Sequence, residues 1–192
     1  MNVRYTRTAI VFHWVIAVLV LANICLAWTW KIWDDRPWTQ YVTNTHKTFG
    51  ITVLGLAVMR LLWRITHRPP PFSPAIPRWQ ATAARIGHGA LYFIIIAMPL
   101  AGWTYDSAWE WAEAVPIDFW GLFEMPRIPW IMDMPQGPAK EMLDVVAGKI
   151  HVGLSYVLYT LLAAHLAGAF KHQWIDRVPT LQRMTFRGAG RE

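Results

Sequence analysis

Two histidines inside the last long apolar run of the chain are the residues most suited to chemistry. The run extends from Val145 to Phe170 and contains His151 and His165, fourteen positions apart. At about 100° per helical residue, fourteen positions make close to four turns, so both imidazoles face one side, roughly 21 Å apart along the axis. An ionisable group within lipid is costly, and it therefore marks a functional site by default. The spacing predicts two stacked metal or haem sites.

Four further histidines can be sorted with these two by their depth in predicted helices. The inner level holds His13, His88, His165 and His172, and the outer level holds His46 and His151. The outer level has one obvious pair, His46 with His151. At the inner level we pair His13 with His165, which leaves the other two histidines as neighbours. Two pairs from facing helices at two depths are typical of two bis-histidine haems in a bundle core.

A haem whose iron has both axial positions filled by histidine carries electrons and has no open site for oxygen or substrate at the metal. Each histidine by itself could instead be a packed, hydrogen-bonded membrane histidine, but four at matched depths favour ligation. Zinc fits less well, because the two pairs are too far apart for one tetrahedral site and have no acidic or thiolate ligands nearby. Cys25 is the single cysteine, which excludes a disulfide, a zinc cluster or an iron–sulfur centre.

Four apolar segments can position these histidines. They cover about Thr8–Trp30, Phe49–Trp63 with an upstream extension to His46, Ile86–Trp103 and Val145–Phe170. A membrane-spanning helix needs about 20 mostly apolar residues. We therefore predict an all-α integral membrane four-helix bundle, a single domain over 1–192, with helices at about 8–30, 44–65, 80–104 and 140–172. The first run is interpreted as a retained helix, because it is too long for a signal peptide and no clear cleavage site follows.

The basic residues behind the net charge of +6 are concentrated on one predicted side of the membrane, which does not suit a nucleic-acid-binding surface. Three regions expected on one side carry the arginine-rich sequence: the N-terminus, the link between the second and third helices with its proline-rich stretch, and the C-terminal tail that includes Arg187 and Arg191. Those regions contain only Asp176 and Glu192 as acids. The positive-inside rule then predicts both termini in the cytoplasm of a bacterial inner membrane, with the basic tail against anionic lipid.

Four cations lie close to the predicted haem levels. Arg60 follows His46 by fourteen residues, and Arg64 follows one turn later. Both arginines could extend to lipid headgroups, or one could pair with a haem propionate. Lys47 and Lys149 flank the predicted outer ligands, where their charge could steer an anion.

The external segment at about 105–139 is rich in tryptophan, proline and acids. The stretch from Thr104 to Ile150 contains eight acidic residues and three basic residues. Aromatic density and negative charge suit a segment that lies on the membrane surface, caps the outer site, or docks a basic electron carrier or a larger membrane complex. The turn around Pro37 is the only other outer connection. The sequence has no glycine-rich phosphate loop, nucleophile motif or paired-carboxylate site.

The chain resembles the bacterial cytochrome b561 family of small four-helix di-haem b-type cytochromes. The resemblance rests on YTRTAIVFHW, HKTFGITVLGLAVMRLLWR, RPPPFSPAIPR, IGHGALYFIIIAMPLAG and IHVGLSYVLYTLLAAHLAGAFKHQW with the tail TLQRM. It covers the whole chain except most of the external segment. The His-to-Arg spacing in the second helix and the His-to-His spacing in the fourth are together its most specific features.

The resemblance implies His13 and His165 as ligands of an inner haem b, and His46 and His151 as ligands of an outer haem b. It places Arg60 and Arg64 near propionates. It further implies a superoxide:ubiquinone oxidoreductase, which takes an electron from superoxide on the periplasmic side and reduces ubiquinone near the cytoplasmic side. His172 occupies the position of a quinone-site histidine, and His88 is a further candidate for quinone or propionate contact.

Two rival functions remain open. In one, the chain is a haem-bearing subunit of a respiratory complex, which relays electrons between a periplasmic dehydrogenase or cytochrome and the quinone pool. In the other, it is an accessory protein whose haems are mainly structural. The external segment resembles the family least, so the identity of the electron donor depends on it.

Overall fold

The computed structural model describes residues 4–32 and 38–186, and four helices in this part of the chain are long and apolar enough to cross a membrane. They are α1 (Arg7–Ile32), α2 (Thr39–Thr66), α3 (Arg78–Ala108) and α5 (Pro138–Phe170). The predicted all-α membrane bundle is confirmed. The turn around Pro37, the arginines Arg187 and Arg191, and Glu192 lie outside the described residues.

Two helix ends differ from the positions expected from hydropathy. α2 begins at Thr39, ahead of the apolar residues, and α3 continues through Pro99 to Ala108. Polar helical turns at a membrane surface carry no apolar signal, which is why the sequence pattern misplaces such ends. The extra turn of α3 brings Asp106 into the helical framework beside the outer histidines.

The most extensive helix packing is between α3 and α5. α1 packs against α2, and α2 also packs against α3. We call the end at which α1 begins and α5 ends the inner end, and the opposite end the outer end. Outward-facing apolar side chains such as Val18, Leu21 and Phe93 are exposed. Such surfaces are stable when they contact lipid, so the bundle buries its backbone polar groups within helices and exposes its apolar side chains to the bilayer.

The external segment between α3 and α5 is folded against the bundle. It contains the antiparallel strands β1 (Asp118–Phe119) and β2 (Phe123–Glu124) and a short helix α4 (Pro129–Met132). The backbone amide of Asp118 donates to Asn44 Oδ1 at 2.9 Å, and Asn44 Nδ2 donates to the carbonyl of Asp118 at 2.9 Å. This two-way pairing fixes the hairpin to α2.

Trp120 at the hairpin tip has φ of +58°, a conformation that costs energy for a bulky residue. Its side chain compensates for this cost. The indole stacks on Phe49 with centroids 5.3 Å apart, and Nε1 donates to Thr52 Oγ1 at 3.0 Å. The hairpin is therefore held to α2 at its tip as well as at its start.

The inner end is closed by the tail. After α5 the helix widens into a π-helical turn at Lys171–Ile175, and a 3₁₀ turn follows at Leu181–Met184. Val178 packs with Ile76 and Ala81. Trp14 Nε1 of α1 donates to the carbonyl of Met184 at 2.8 Å, which ties the tail across the first helix.

Candidate functional site: histidine pairs at the two ends of the bundle

The outer pair joins α2 and α5. The imidazole centroids of His46 and His151 are 6.1 Å apart, with planes at 78°. Two imidazoles on opposite sides of one metal ion, with metal–nitrogen bonds of about 2 Å, have centroids roughly 6 Å apart. The rings therefore stand at the separation that axial ligation of one iron requires.

Backbone carbonyls fix the tautomer of both outer histidines. Nδ1 of His46 lies 3.3 Å from the carbonyl of Asn23 on α1, and Nδ1 of His151 lies 3.0 Å from the carbonyl of Met98 on α3. A carbonyl only accepts, so each Nδ1 carries the proton and each Nε2 keeps its lone pair for a metal. Such a hydrogen bond is the usual partner of a metal-binding histidine.

A cavity of about 990 Å³ contains this pair and is lined mainly by apolar side chains. Gly50 and Gly102 line it. A Cβ at Gly102 would lie 3.0 Å from Cε1 and Nδ1 of His151, so only glycine leaves this ring its position. A large apolar space between two oriented imidazoles fits a planar macrocycle with a central iron, and these residues therefore fit a haem.

Asp106 connects the outer pair to the external segment. One carboxylate oxygen lies 2.5 Å from Lys47 Nζ on α2, and the other lies 2.8 Å from Arg127 Nε in the segment. Arg127 Nη2 also donates to the carbonyl of Val115 at 2.7 Å. Asp106 and Arg127 are both buried, each with 8% of its side chain exposed. These contacts fix the external segment beside the outer cavity, whose lining includes Val115. We call the part of the segment from Val115 to Arg127 the roof.

This arrangement bears on the two lysines considered for anion steering. Lys47 is paired with Asp106 and lies 5.7 Å from the ring centroid of Trp109. Lys149 is exposed on α5. A neutralised lysine contributes little to the local positive potential, so of the two only Lys149 presents an exposed charge.

The inner end brings together three histidines. The centroids of His13 and His165 are 6.2 Å apart with planes at 44°, and those of His88 and His165 are 5.5 Å apart with planes at 65°. The first separation matches two ligands on one iron, and the second is shorter than that geometry requires. Nδ1 of His13 is buried without a hydrogen-bond partner. An orphaned imidazole nitrogen fits a site that is completed by a bound group.

The remaining predicted residues of the inner end are Arg60 and Arg64 on α2 and His172 after α5. The guanidinium groups of Arg60 and Arg64 lie 5.4 and 5.7 Å from the ring centroid of Tyr92 on α3. His172 lies in the π-helical turn, where its Nδ1 donates to Asp176 Oδ2 at 2.7 Å. Lys171 Nζ contacts the same carboxylate oxygen at 2.6 Å. Hydrogen bonds from Lys171 and His172 lower the pKa of Asp176, so this carboxylate is ionised at neutral pH.

Sequence reasoning missed three residues of the outer site. Asn23 is the only amide within the first apolar run, and its Oδ1 is buried without a partner beside the cavity. A lone amide in a membrane helix is a signal that could have been used. Asp106 and Arg127 gave no local signal, because each looks like one of many charges outside the membrane until the fold brings them together.

The fold and the site together define the class of protein. A four-helix membrane bundle with histidines facing each other across its core is the architecture of a membrane cytochrome b. The sequence profile described as prokaryotic cytochrome b561 matches residues 4–187, and the chain therefore belongs to that family. Membership identifies a haem-binding membrane protein of electron transfer.

Curated relatives agree with this assignment along nearly their whole length. "Cytochrome b561 homolog 2" of Escherichia coli (strain K12) is 30% identical over 94% of this chain and 90% of its own. "Cytochrome b561 homolog 1" of the same organism is 28% identical over 94% of this chain and 96% of its own. "Probable superoxide oxidase CybB" of Yersinia pestis is 25% identical over 96% and 97%, respectively.

Proposed function

We propose that the chain binds two haems b and moves electrons between the two faces of the membrane. His46 and His151 hold the outer haem, and His13 and His165 hold the inner haem. The observation that carries this proposal is the near-equal separation of the two pairs, 6.1 and 6.2 Å, at opposite ends of one bundle. Haem iron held by two histidines supplies one-electron transfer.

The reaction we favour oxidises superoxide at the outer end and reduces ubiquinone near the inner end. Two superoxide anions each give up one electron and leave as dioxygen, and one ubiquinone takes both electrons with two protons from the cytoplasm to form ubiquinol. The support is similarity to a relative named as a probable superoxide oxidase. The chain is then a superoxide:ubiquinone oxidoreductase.

Protein groups at the two ends have different tasks in this scheme. At the outer end Lys149 is the exposed cation that attracts the anion, while Lys47 keeps the roof in place through Asp106. At the inner end Arg60 and Arg64 neutralise haem propionates. His172 is oriented by Asp176 through Nδ1, which leaves Nε2 to approach a quinone oxygen and hold a proton there.

The role of His88 follows from its short distance to His165. At 5.5 Å the two rings are too close to flank an iron, so His88 is assigned to contact with a propionate or with quinone. His13→Ala should remove the inner haem, whereas His88→Ala should keep both haems. Absorbance spectra of the purified variants test this assignment, and loss of the inner haem in His88→Ala alone would exchange the two roles.

A second function is favoured by the surface of the external segment. Trp111 and Trp130 expose 58% and 62% of their surface, and Leu122 and Phe123 are exposed nearby in the sequence. Aromatic side chains with surrounding acids suit a protein interface. In this alternative the chain is a subunit that relays electrons between a basic periplasmic partner, a dehydrogenase or cytochrome, and the quinone pool.

Rapid mixing of the purified oxidised protein with superoxide tests the favoured reaction. We expect fast reduction of the haem absorbance, which becomes catalytic when ubiquinone is added. Dithionite provides the control for competent haem. Absence of reduction by superoxide, in protein that dithionite reduces fully, would contradict the enzyme and favour the subunit.

Affinity isolation from native membranes tests the subunit function. The double variant W111A/W130A should lose a co-purified partner while its haem spectrum is unchanged. Trp79→Ala is the matched control for aromatic loss, because Trp79 is 71% exposed but lies at the start of α3, away from the external segment. Isolation of the chain alone, active with superoxide, would exclude the subunit function.

A further inference from the structure

The side chain of Asn23 is a polar group inside a membrane-spanning helix. Asn23 belongs to α1, within the apolar span Arg7–Thr29, and it lines the outer cavity. Its Oδ1 is buried and has no hydrogen-bond partner. An unsatisfied amide is costly, and the cost is greatest at membrane depth, where water does not reach it. The orphaned carboxamide therefore points to a group that binds beside it in the cavity.

Asn23 lies at the level of the outer histidine pair. Its backbone carbonyl accepts from His46 Nδ1 at 3.3 Å, so the residue already orients one of the two imidazoles. Its Nδ2 lies 3.7 Å from the position that a Cβ would have at Gly50, one turn after His46 on α2. Because residue 50 has no side chain, the carboxamide can lie directly against α2 at the edge of the cavity.

Other polar groups around the cavity are already engaged. Lys47 is the only lysine or arginine among the described residues that line the cavity, and it is paired with Asp106. Ser155 Oγ donates to the carbonyl of Val152 in its own helix at 2.7 Å. Asn23 therefore offers hydrogen-bonding capacity that neither the charged pair nor the serine has left over.

The chemistry of haem b selects the group that the carboxamide can contact. The rim of the macrocycle carries methyl and vinyl groups, its ring nitrogens bind the iron, and its two propionates are the groups that form hydrogen bonds. A propionate carboxylate only accepts. Half a turn about the terminal torsion of an asparagine exchanges oxygen and nitrogen with little change of shape. In that orientation the amide nitrogen takes the place of the orphaned oxygen and presents a donor.

We propose that Asn23 donates a hydrogen bond through Nδ2 to a propionate of the outer haem. The proposal rests on the proposed function, because it requires a haem between His46 and His151. α1 then contacts both an outer ligand and the outer cofactor through one residue. A donor beside a propionate stabilises its negative charge, which reduces the repulsion felt by an added electron and favours the reduced iron.

Redox titration and resonance Raman spectroscopy of the haem-loaded protein test the proposal. Asn23→Leu removes the carboxamide and keeps the backbone carbonyl that orients His46. At a fixed potential we expect the ratio of reduced to oxidised outer haem to fall about threefold or more, since hydrogen bonds to charged groups are the stronger class. The propionate bending band should shift, and the inner haem should keep its potential. Ser155→Ala, the matched control in the same cavity, should match the wild type.

Asn23→Ala removes the same carboxamide without adding volume, and it should give the same two changes. It replaces Asn23→Leu if leucine at this position displaces the outer haem. An unchanged ratio in a variant that retains both haems would overturn the proposal and leave the di-haem function intact. A lowered ratio without a shift of the propionate band would assign Asn23 to packing and overturn the proposal as well. A wild type without an outer haem would instead contradict the proposed function itself.

Discussion

Asp106 illustrates how a single residue can organise the outer end of this bundle. Its two oxygens contact Lys47 and Arg127, so one carboxylate joins α2, α3 and the external segment. Because the cluster is buried, removal of one partner should destabilise the folded protein, since the others stay charged and poorly solvated. The roof beside the outer cavity thus depends on an ion cluster that includes Lys47, the residue next to the proposed ligand His46.

Asp106→Asn should destabilise the protein and alter the outer haem. We expect a loss of roughly 1–3 kcal/mol in the free energy of unfolding, because two cations lose their countercharge. The midpoint potential of the outer haem should rise by an amount on the order of tens of millivolts, because the more positive surroundings favour the reduced state. Thermal melting and redox titration measure the two effects.

Asp133→Asn is the control for this variant, since Asp133 is exposed and has the same charge. It should leave both the melting temperature and the potential unchanged. An outer-haem potential in Asp106→Asn equal to that of the wild type would show that the cluster is too far from the haem to matter.

The histidine pairs could be predicted from the sequence because ionisable residues within apolar runs are conspicuous, and because helical spacing assigns each to a depth. The prediction that His151 and His165 face the same side of one helix follows from helical spacing alone. The Asp106 cluster could not be predicted, since Lys47 and Arg127 belong to segments that meet only in the folded protein. The sequence paired His13 with His165 and left His88 as a neighbour, and the structure adds the two separations, 6.2 Å to His13 and 5.5 Å to His88, by which the candidates can be compared.

At the scale of elements, the external segment is better ordered than its length and composition suggest. Its hairpin is attached to α2 through Asn44, Thr48 and Thr52, all on the outer half of that helix. Asn44 and Thr48 precede the apolar run Phe49–Trp63, and Thr52 lies near its start. The sequence predicted a functional segment here but gave no basis for its attachment points.

Asn44→Ala should detach the hairpin locally. It removes two hydrogen bonds to Asp118, and each contributes about 1 kcal/mol. Hydrogen exchange of residues 117–124 should therefore accelerate by roughly tenfold or more, while the amides within α5 are unaffected. Gln40→Ala, on the same helix one turn earlier, is the control. Unchanged exchange in Asn44→Ala would mean that Trp120 and Thr48 hold the hairpin without it.

The π-helical turn at the end of α5 sets the geometry of His172. Asp176 accepts from both His172 and Lys171, which lowers the pKa of Asp176 below its ordinary value of 3.8. A carboxylate with a lowered pKa stabilises the folded state above its ordinary pKa, and this contribution is lost as the pH falls through the lowered value. The contact should therefore persist at all pH values above about 4.

Asp176→Asn should slow ubiquinone reduction by about tenfold, because His172 loses the partner that orients its ring. Both haems should remain bound. Lys171→Gln is the matched control, since it removes the other contact to Asp176 and retains the one to His172. Steady-state rates at pH 7 test this expectation, and an unchanged rate in Asp176→Asn would show that the contact does not orient His172.

On the scale of the whole molecule, orientation follows from charge. The described arginines before α1, in the connector after α2 and in the tail after α5 lie at the inner end, whereas most of the described acids lie at the outer end. If the inner end is cytoplasmic, green fluorescent protein fused at the C-terminus should fluoresce. Alkaline phosphatase inserted between Gly121 and Leu122 should then be active, because it would lie in the periplasm. The opposite pattern of reporter activity would place the outer cavity in the cytoplasm and exclude periplasmic superoxide as donor.

The measurement that tests the central proposal most directly is the haem content per chain, with redox-resolved spectra, of the wild type, His46→Ala and His165→Ala. We predict two haems b in the wild type and one in each variant. The spectra of the two variants should differ and should sum to the wild-type spectrum. A wild type with a single haem, or a His46→Ala variant that retains both, would contradict a bundle with one bis-histidine haem at each end.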